Sequence, residues 1–178
     1  MKKRAGVVLH NDLSIDVRVL NELKILKKKY EIHILCAADK IQHPEKIAEF
    51  NYEVISTKSS WYKFMSISNT TNRLFHSFWE NKIVRFLAEK RINLLHVHDL
   101  YMLPPAIEAC QKSNTPLIID LHENYEAAFR TYSWTKNFPH RLFVDYNQWK
   151  HVEKKYLPKA DGIVVLSDHY KKTLQAEY

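Results

Sequence analysis

Glycine is almost missing from this chain: Gly6 and Gly162 are the only two in 178 residues. A phosphate loop of the Walker A or GxGxxG kind needs glycines so that the backbone can approach the ligand, and such nucleotide sites are therefore excluded. Cysteine is just as scarce. Cys36 and Cys110 fall in stretches that read as a strand end and a helix, which argues against a disulfide framework or a structural zinc site and fits a reducing compartment. Long apolar runs are absent too. The start, Met1-Lys2-Lys3-Arg4, imitates the charged part of a signal peptide, but the apolar stretch behind it stops at His10-Asn11-Asp12. That is too short for a secretory core, and no later run approaches a membrane span. The expectation is a cytoplasmic protein.

What is present describes one domain with room for a core: 46% apolar residues, 27 basic and 20 acidic side chains, and a formal charge of +7. The basic excess suits an ordinary solvated surface, or attraction to phosphates, nucleic acid or an anionic membrane leaflet, and charge alone does not choose among these. Short β-rich runs alternate with longer amphipathic ones, the pattern of βαβ units and a parallel sheet. The strands read as Ala5 to His10, Glu31 to Cys36, Tyr52 to Ser56, Asn93 to Val97, Pro116 to Leu121 and Gly162 to Leu166. Most are dense in Val, Ile and Leu, as expected of a sheet covered on both faces.

Helices are expected from Ser14 or Asp16 through the three lysines before Tyr30, from Thr71 to Lys90, from Pro104 to Ser113, and from Pro139 to Leu157. The last carries Leu142, Tyr146, Trp149 and Tyr156 at near-heptad spacing. Two stretches, Thr57 to Thr70 and Glu126 to Phe138, resist the pattern. Their aromatic, hydroxyl and basic residues suit loops that carry binding groups, or else Trp61, Phe64, Phe129 and Trp134 cover the sheet edges.

In an open doubly wound sheet, ligands bind outside the carboxyl ends of the strands, where strand order reverses. For the order 3-2-1-4-5-6 that point lies between the first and fourth strands. His10-Asn11-Asp12 follows the first strand, His96-Val97-His98-Asp99 closes the fourth, and Asp120-Leu121-His122-Glu123-Asn124 closes the fifth. Three polar clusters from distant parts of the sequence thus converge on one rim. Within them His96 reads as structural, because it sits inside its strand, and Asp120 reads as a loop or helix cap. His122 falls just past its strand, where a side chain can enter the crevice. His33, His43, His76, His140, His151 and His169 read as surface residues. A metal held by His96, His98, Asp99, His122 and Glu123 is a rival reading, since nitrogen and oxygen ligands are available, but the spacing fits no zinc motif. No metal site and no resident cofactor are expected.

These motifs resemble the amino-terminal domain of a retaining GT-B glycosyltransferase of family 4, a large bacterial group. The resemblance rests on Asp16-Val17-Arg18-Val19 at the first helix, Lys29-Tyr30-Glu31-Ile32 before the second strand, then LLHVHDLYMLPPA, PLIIDLHENYE and KADGIVVLS, in the family's order. It covers nearly the whole chain, as a single Rossmann-like domain of six or seven mostly parallel strands with helices on both faces. It implies retaining transfer of a sugar from a nucleotide-sugar donor to a glycan or lipid-linked acceptor, in cell-surface polysaccharide biosynthesis. His122 matches the family's histidine near the transferring sugar and leaving phosphate. His98 and Asp99 match acceptor-side rim positions, with Glu123 and Asn124 beside them, and Tyr125, Phe129, Arg130, Tyr132 and Trp134 are candidate acceptor contacts because aromatic faces stack on sugar rings and Arg grips phosphate. Asn11, Asp12, Asp16 and Arg18 fall at the donor-phosphate loop, here without its glycines. The resemblance also implies a carboxy-terminal donor-binding domain that these 178 residues lack, so the isolated chain is expected to fold without transferring sugar.

From Lys58 to Arg91 there are seven basic and two acidic residues, interleaved with Trp61, Tyr62, Phe64, Phe75, Phe78 and Trp79. This region suits peripheral contact with an anionic membrane carrying a lipid-linked acceptor, or a helix with one packed face and one solvated face. The alternative from another class is a non-catalytic Rossmann-like module that binds a nucleotide or partner. A nucleic-acid partner is not expected, because no recognition module is present.

Overall fold

The computed structural model describes residues 2–66, 72–131 and 146–178, without the side chains of Glu126, Phe129, Arg130, Tyr146 and Asn147. Six strands form one sheet in the order β3-β2-β1-β4-β5-β6, every neighbour parallel. They are β1 (Lys3–Leu9), β2 (Tyr30–Ala38), β3 (Asn51–Ser56), β4 (Leu94–His98), β5 (Leu117–Leu121) and β6 (Gly162–Val165). The order reverses between β1 and β4, which is the order considered from the sequence.

Alternation along the strands divides the core in two. Ala5, Val7 and Leu9 of β1 join Ile32, Ile34 and Cys36 of β2 under Val19 and Leu23 of helix α1 (Val17–Leu26). On the other face, Val8, Leu35, Leu95, Val97, Ile119 and Leu121 pack with Phe75, Trp79, Ile83 and Phe86 of α3 (Arg73–Lys90) and with α4 (Leu103–Ser113). Between the core positions of β4 and β5, His96, His98 and Asp120 occupy the alternate positions, on the side of α1. Local chemistry sets the helix ends. Asp16 caps α1 by accepting the Val19 N–H at 3.1 Å, and α4 opens on Pro104 and Pro105 and closes at Asn114 with φ 51°.

Three local expectations are corrected. The stretch expected to be a loop from Thr57 holds a helix, α2 (Ser60–Ser66), in which Tyr62 and Met65 face the core and the Ser59 hydroxyl caps Tyr62 N–H at 3.0 Å. Two turns are too few for a helical period to show in the sequence. The second presumed loop begins as α5 (Tyr125–Thr131), started by the Asn124 side-chain oxygen accepting from Ala127 N–H at 3.2 Å; Tyr132 and Trp134 lie outside the described residues, as does the helix start expected at Pro139. Helix α6 (Tyr146–Tyr156) buries Trp149, Val152 and Tyr156, and α7 (Asp168–Glu177) follows β6. Finally, His33 is buried in β2 with Nε2 3.0 Å from Glu31 Oε1, because its strand turns it inward beside a partner.

At Gly6, α3 packs tightly against β1: a Cβ there would stand 2.8 Å from a ring carbon of Phe86 and 3.1 Å from Ile92. Gly6→Ala is therefore expected to destabilise the fold by about 1–3 kcal/mol, measured by chemical denaturation, whereas no loss would show that the helix yields without cost.

Candidate active site

The three polar clusters meet at the carboxyl ends of β1, β4 and β5, beside the start of α1. Asp120, fully buried at the end of β5, is their centre. Its Oδ1 is ion-paired with Arg18 Nη2 from α1, and its Oδ2 lies 3.4 Å from His122 Nε2 and 3.5 Å from His98 Nδ1. Burial opposes the charge of this carboxyl, but His122, His98 and Arg18 outweigh it and hold the group well below the usual carboxylate range. Arg18 in turn reaches Glu22 Oε1, one helical turn on, at 3.3 Å.

His122 stands above this pair with its side chain one-fifth exposed, so it can reach into the crevice. Its Nε2 is 3.0 Å from His98 Nδ1, and its Nδ1 is 3.6 Å from Asp99 Oδ1. Burial alone would lower its pKa, but the adjoining Asp120 carboxylate and the charges of Asp99 and Asp120 raise it. An imidazole held this way offers an N–H to a developing negative charge.

Asp99 carries the strain of the site. Its φ of 73° is unusual for a residue other than glycine. The carboxylate accepts from Tyr101 Oη at 3.1 Å on one oxygen and from Tyr125 Oη on the other. Tyr125 is itself buried and stacks on Trp149 of α6 at 4.9 Å, so the hydrophobic core fixes Asp99 beneath His122. Tyr125 thereby acts through Asp99, and its ring is turned away from solvent.

Below the rim lies a further layer. His96 Nε2 is 3.9 Å from Glu22 Oε2, and the His96 and His98 rings are 4.6 Å apart. Burial lowers the His96 pKa to about 3, keeping the ring neutral. The Glu22 pKa is raised, first by burial and then by the charge of Asp120. His10, just past β1, sits against Tyr62, Phe75, Trp79 and Tyr101, and burial lowers it to about 4.

The loop after β1 is knitted to its surroundings. Asp12 accepts from the Ser14 N–H at 2.9 Å and hydroxyl at 2.8 Å through one oxygen, and from Gln42 N–H at 2.9 Å through the other. Asn11 donates to Asp16 at 3.0 Å. Of the expected rim residues, the fold brings together Arg18, His98, Asp99 and His122, with Glu123 half-buried beside them. His98 is buried behind His122, Asn124 starts α5, and the Arg130 side chain lies outside the described residues. Sequence reasoning missed Glu22 and Tyr101, and read the central Asp120 as a cap. The spacing of Glu22 four residues after Arg18, on one helix face, was the available signal.

The sequence profile of Glycosyltransferase Family 4 matches residues 16–178. The chain belongs to glycosyltransferase family 4. No curated protein sequence matches it. Among solved structures, it is similar to a putative UDP-N-acetylglucosamine 2-epimerase from Listeria monocytogenes, at TM-score 0.60 and 14% identity, over 99% of this chain and 42% of that one. UGT73P12 of Glycyrrhiza uralensis matches at TM-score 0.60 and 10% identity, over 100% and 46%. A lipopolysaccharide outer core galactosyltransferase matches at TM-score 0.56 and 13% identity, over 98% and 42%. The chain thus spans less than half of each. At these identities the likeness concerns fold: one Rossmann-like unit of a GT-B architecture.

Two outcomes follow for this family 4 chain. Asp120→Ala leaves the guanidinium of Arg18 without its buried partner and is expected to cost about 3–5 kcal/mol in denaturation; a loss below about 1 kcal/mol would remove Asp120 from the centre of the site. Asp12 has its pKa lowered: burial opposes its charge, but the bonds from Gln42 and Ser14 outweigh burial. Its contribution is present above the unfolded carboxylate pKa near about 3.9 and is lost as pH falls through the lower folded value. Asp12→Asn should therefore lose less stability than the parent between neutral pH and acid; parallel pH profiles would refute this.

Proposed function

We propose that the protein transfers a sugar, with retention, from a nucleotide-sugar donor to a glycan or lipid-linked acceptor in cell-surface polysaccharide biosynthesis. The observation that carries this reading is His122, partly exposed at the switch point and braced from below by Asp120, His98 and Asp99, in a chain of glycosyltransferase family 4. In the reaction the bond from the anomeric carbon to the donor phosphate oxygen breaks and the acceptor oxygen bonds to that carbon. The acceptor proton leaves with the nucleoside diphosphate. His122 donates a hydrogen bond where charge develops on the sugar and departing phosphate. Arg18, at the start of α1, adds positive charge on the donor side, where Asn11, Asp12 and Asp16 form the donor-phosphate loop and brace it through their bonds to one another, Ser14, Gln42 and Val19. Asp99, Glu123 and Asn124 line the acceptor side, and His98 positions His122.

A second Rossmann-like domain holds the donor nucleotide in this proposal, in keeping with the greater length of the similar structures. The 178 residues alone then do not turn over. The reading also places the protein in the cytoplasm, at the inner face of the cell membrane. No described helix is long and apolar enough to cross a membrane. Contact would be peripheral, through α2. Trp61 and Phe64 are 57% and 59% exposed with ring centroids 6.2 Å apart, and no Asp or Glu occurs between Val54 and Trp79. The other aromatics of that region serve the core: Tyr62, Phe75 and Trp79 are buried. Because Tyr62 of α2 stacks on His10 at 5.7 Å, the exposed pair stands near the reacting rim.

In the full-length enzyme, His122→Ala should lower kcat about 10²–10³-fold with donor binding retained. Unchanged turnover would contradict the assignment. Vesicles containing anionic lipid should sediment the protein, and Trp61→Ser with Phe64→Ser should leave it in the supernatant. Equal recovery in the supernatant with and without such vesicles would exclude the docking surface.

A further inference from the structure

We propose that a zinc ion, or another divalent cation of the same borderline class, binds beneath the rim, held by Glu22 of α1, His96 and His98 of β4 and Asp120 of β5. One ligand atom from each of the four lies within 4.8 Å of the others. His96 and His98 sit two apart on one strand and therefore share a face, and the sheet register sets Asp120 directly opposite His98. Helix α1 lays Glu22 over them. This is a different quartet from the one the linear spacing suggests, because its carboxylates come from neighbouring elements.

The decisive observation is that each of the four residues also carries a buried polar atom without a full hydrogen bond. Glu22 Oε2, His96 Nε2 and His98 Nε2 have no hydrogen-bond partner among the described residues, and Asp120 Oδ2 has only the long approaches of His122 Nε2 at 3.4 Å and His98 Nδ1 at 3.5 Å. His98 and Asp120 are fully buried and His96 is 7% exposed. Buried polar atoms are normally satisfied, and under-satisfied ones gathered in one layer are costly unless something bridges them. Two imidazole nitrogens with two carboxylate oxygens form a four-coordinate set that zinc accepts, while calcium and magnesium ask for more oxygens. Ligand atoms of a tetrahedral zinc site stand roughly 3.4 Å apart, from bond lengths of about 2.0–2.2 Å. The quartet therefore has to contract modestly.

The surrounding groups match what ligands require. The Nδ1 of His98 faces His122 Nε2 at 3.0 Å, which fixes the ring and leaves Nε2 for the metal. Arg18 holds Asp120 through Oδ1, so Oδ2, which His122 and His98 approach at 3.4 and 3.5 Å, is the oxygen a cation would share. The positive guanidinium opposes a cation, but the carboxyl groups of both Glu22 and Asp120 face it. A bound ion would tie α1 to β4 and β5 and stiffen the support of His122. The inference does not depend on the transferase reading.

The test uses protein stripped with chelator and titrated with zinc chloride or cobalt chloride alone. Native mass spectrometry should find one zinc per chain, and the melting temperature should rise with free zinc. Cobalt should give the visible absorption of a four-coordinate site. Glu22→Gln and, separately, His96→Gln should weaken zinc binding at least about 10–100-fold, whereas His43→Gln, at an exposed imidazole, should change nothing. No uptake, or uptake equal in the parent and in both site variants, overturns the proposal and leaves water as the bridge. If His96→Gln does not fold, Glu22→Gln, at a side chain one-quarter exposed, decides alone. Loss of zinc binding leaves the sugar-transfer assay of His122→Ala unaffected as a test, so the two readings fail separately.

Discussion

Taking a carboxylate out of water costs several kcal/mol unless charges and hydrogen-bond donors replace the lost hydration, and Asp120 is fully buried at the end of a central strand. Its replacement solvent comes from distant parts of the chain. Arg18 arrives from the first helix, 102 residues away in sequence, and His98 and His122 arrive from the end of the neighbouring strand and the turn just beyond Asp120. Satisfying this one charge requires α1, β4 and β5 to be in register, so the carboxylate couples the fold of the sheet to the geometry of the rim.

The support extends in both directions. Above Asp120, His122 is caught between it, His98 and Asp99. Asp99 adopts a strained backbone that Tyr101, Tyr125 and the Trp149 stack over-determine. Below Asp120, His96 and Glu22 form a polar layer within an otherwise apolar interior. A concavity of about 840 Å³ lies elsewhere, along β6 and α7, walled by Ile163, Leu166, Lys171 and Tyr178. Convergent titratable groups, rather than volume, mark the rim as the place for chemistry.

Much of this could be read from the sequence, because the relevant signals are local. Strand periods, the position of His122 just past a strand and the Asp16 cap each depend on a few adjacent residues. The alternating pattern showed a doubly wound sheet without fixing its strand order, and the observed reversal between β1 and β4 places the rim where the order 3-2-1-4-5-6 would put it. What escaped was long-range or too short to show a period. Asp120 reads as a cap until Arg18 is seen against it, Glu22 reads as one more solvated helix residue, and α2 has too few turns to betray itself. His33 reads as a surface residue because its partner, the half-exposed Glu31, lies two positions away on the same strand and gives no sign in the sequence that the imidazole is buried.

The central claim is that sugar transfer occurs over His122 at the switch point between β1 and β4. The most direct measurement is a structure of the full-length protein with a non-transferable nucleotide-sugar analogue. The account predicts the sugar and its linked phosphate at the rim, within hydrogen-bond distance of His122 and on the side of Arg18. A ligand bound elsewhere, for instance along β6 and α7, with His122 untouched, would contradict it.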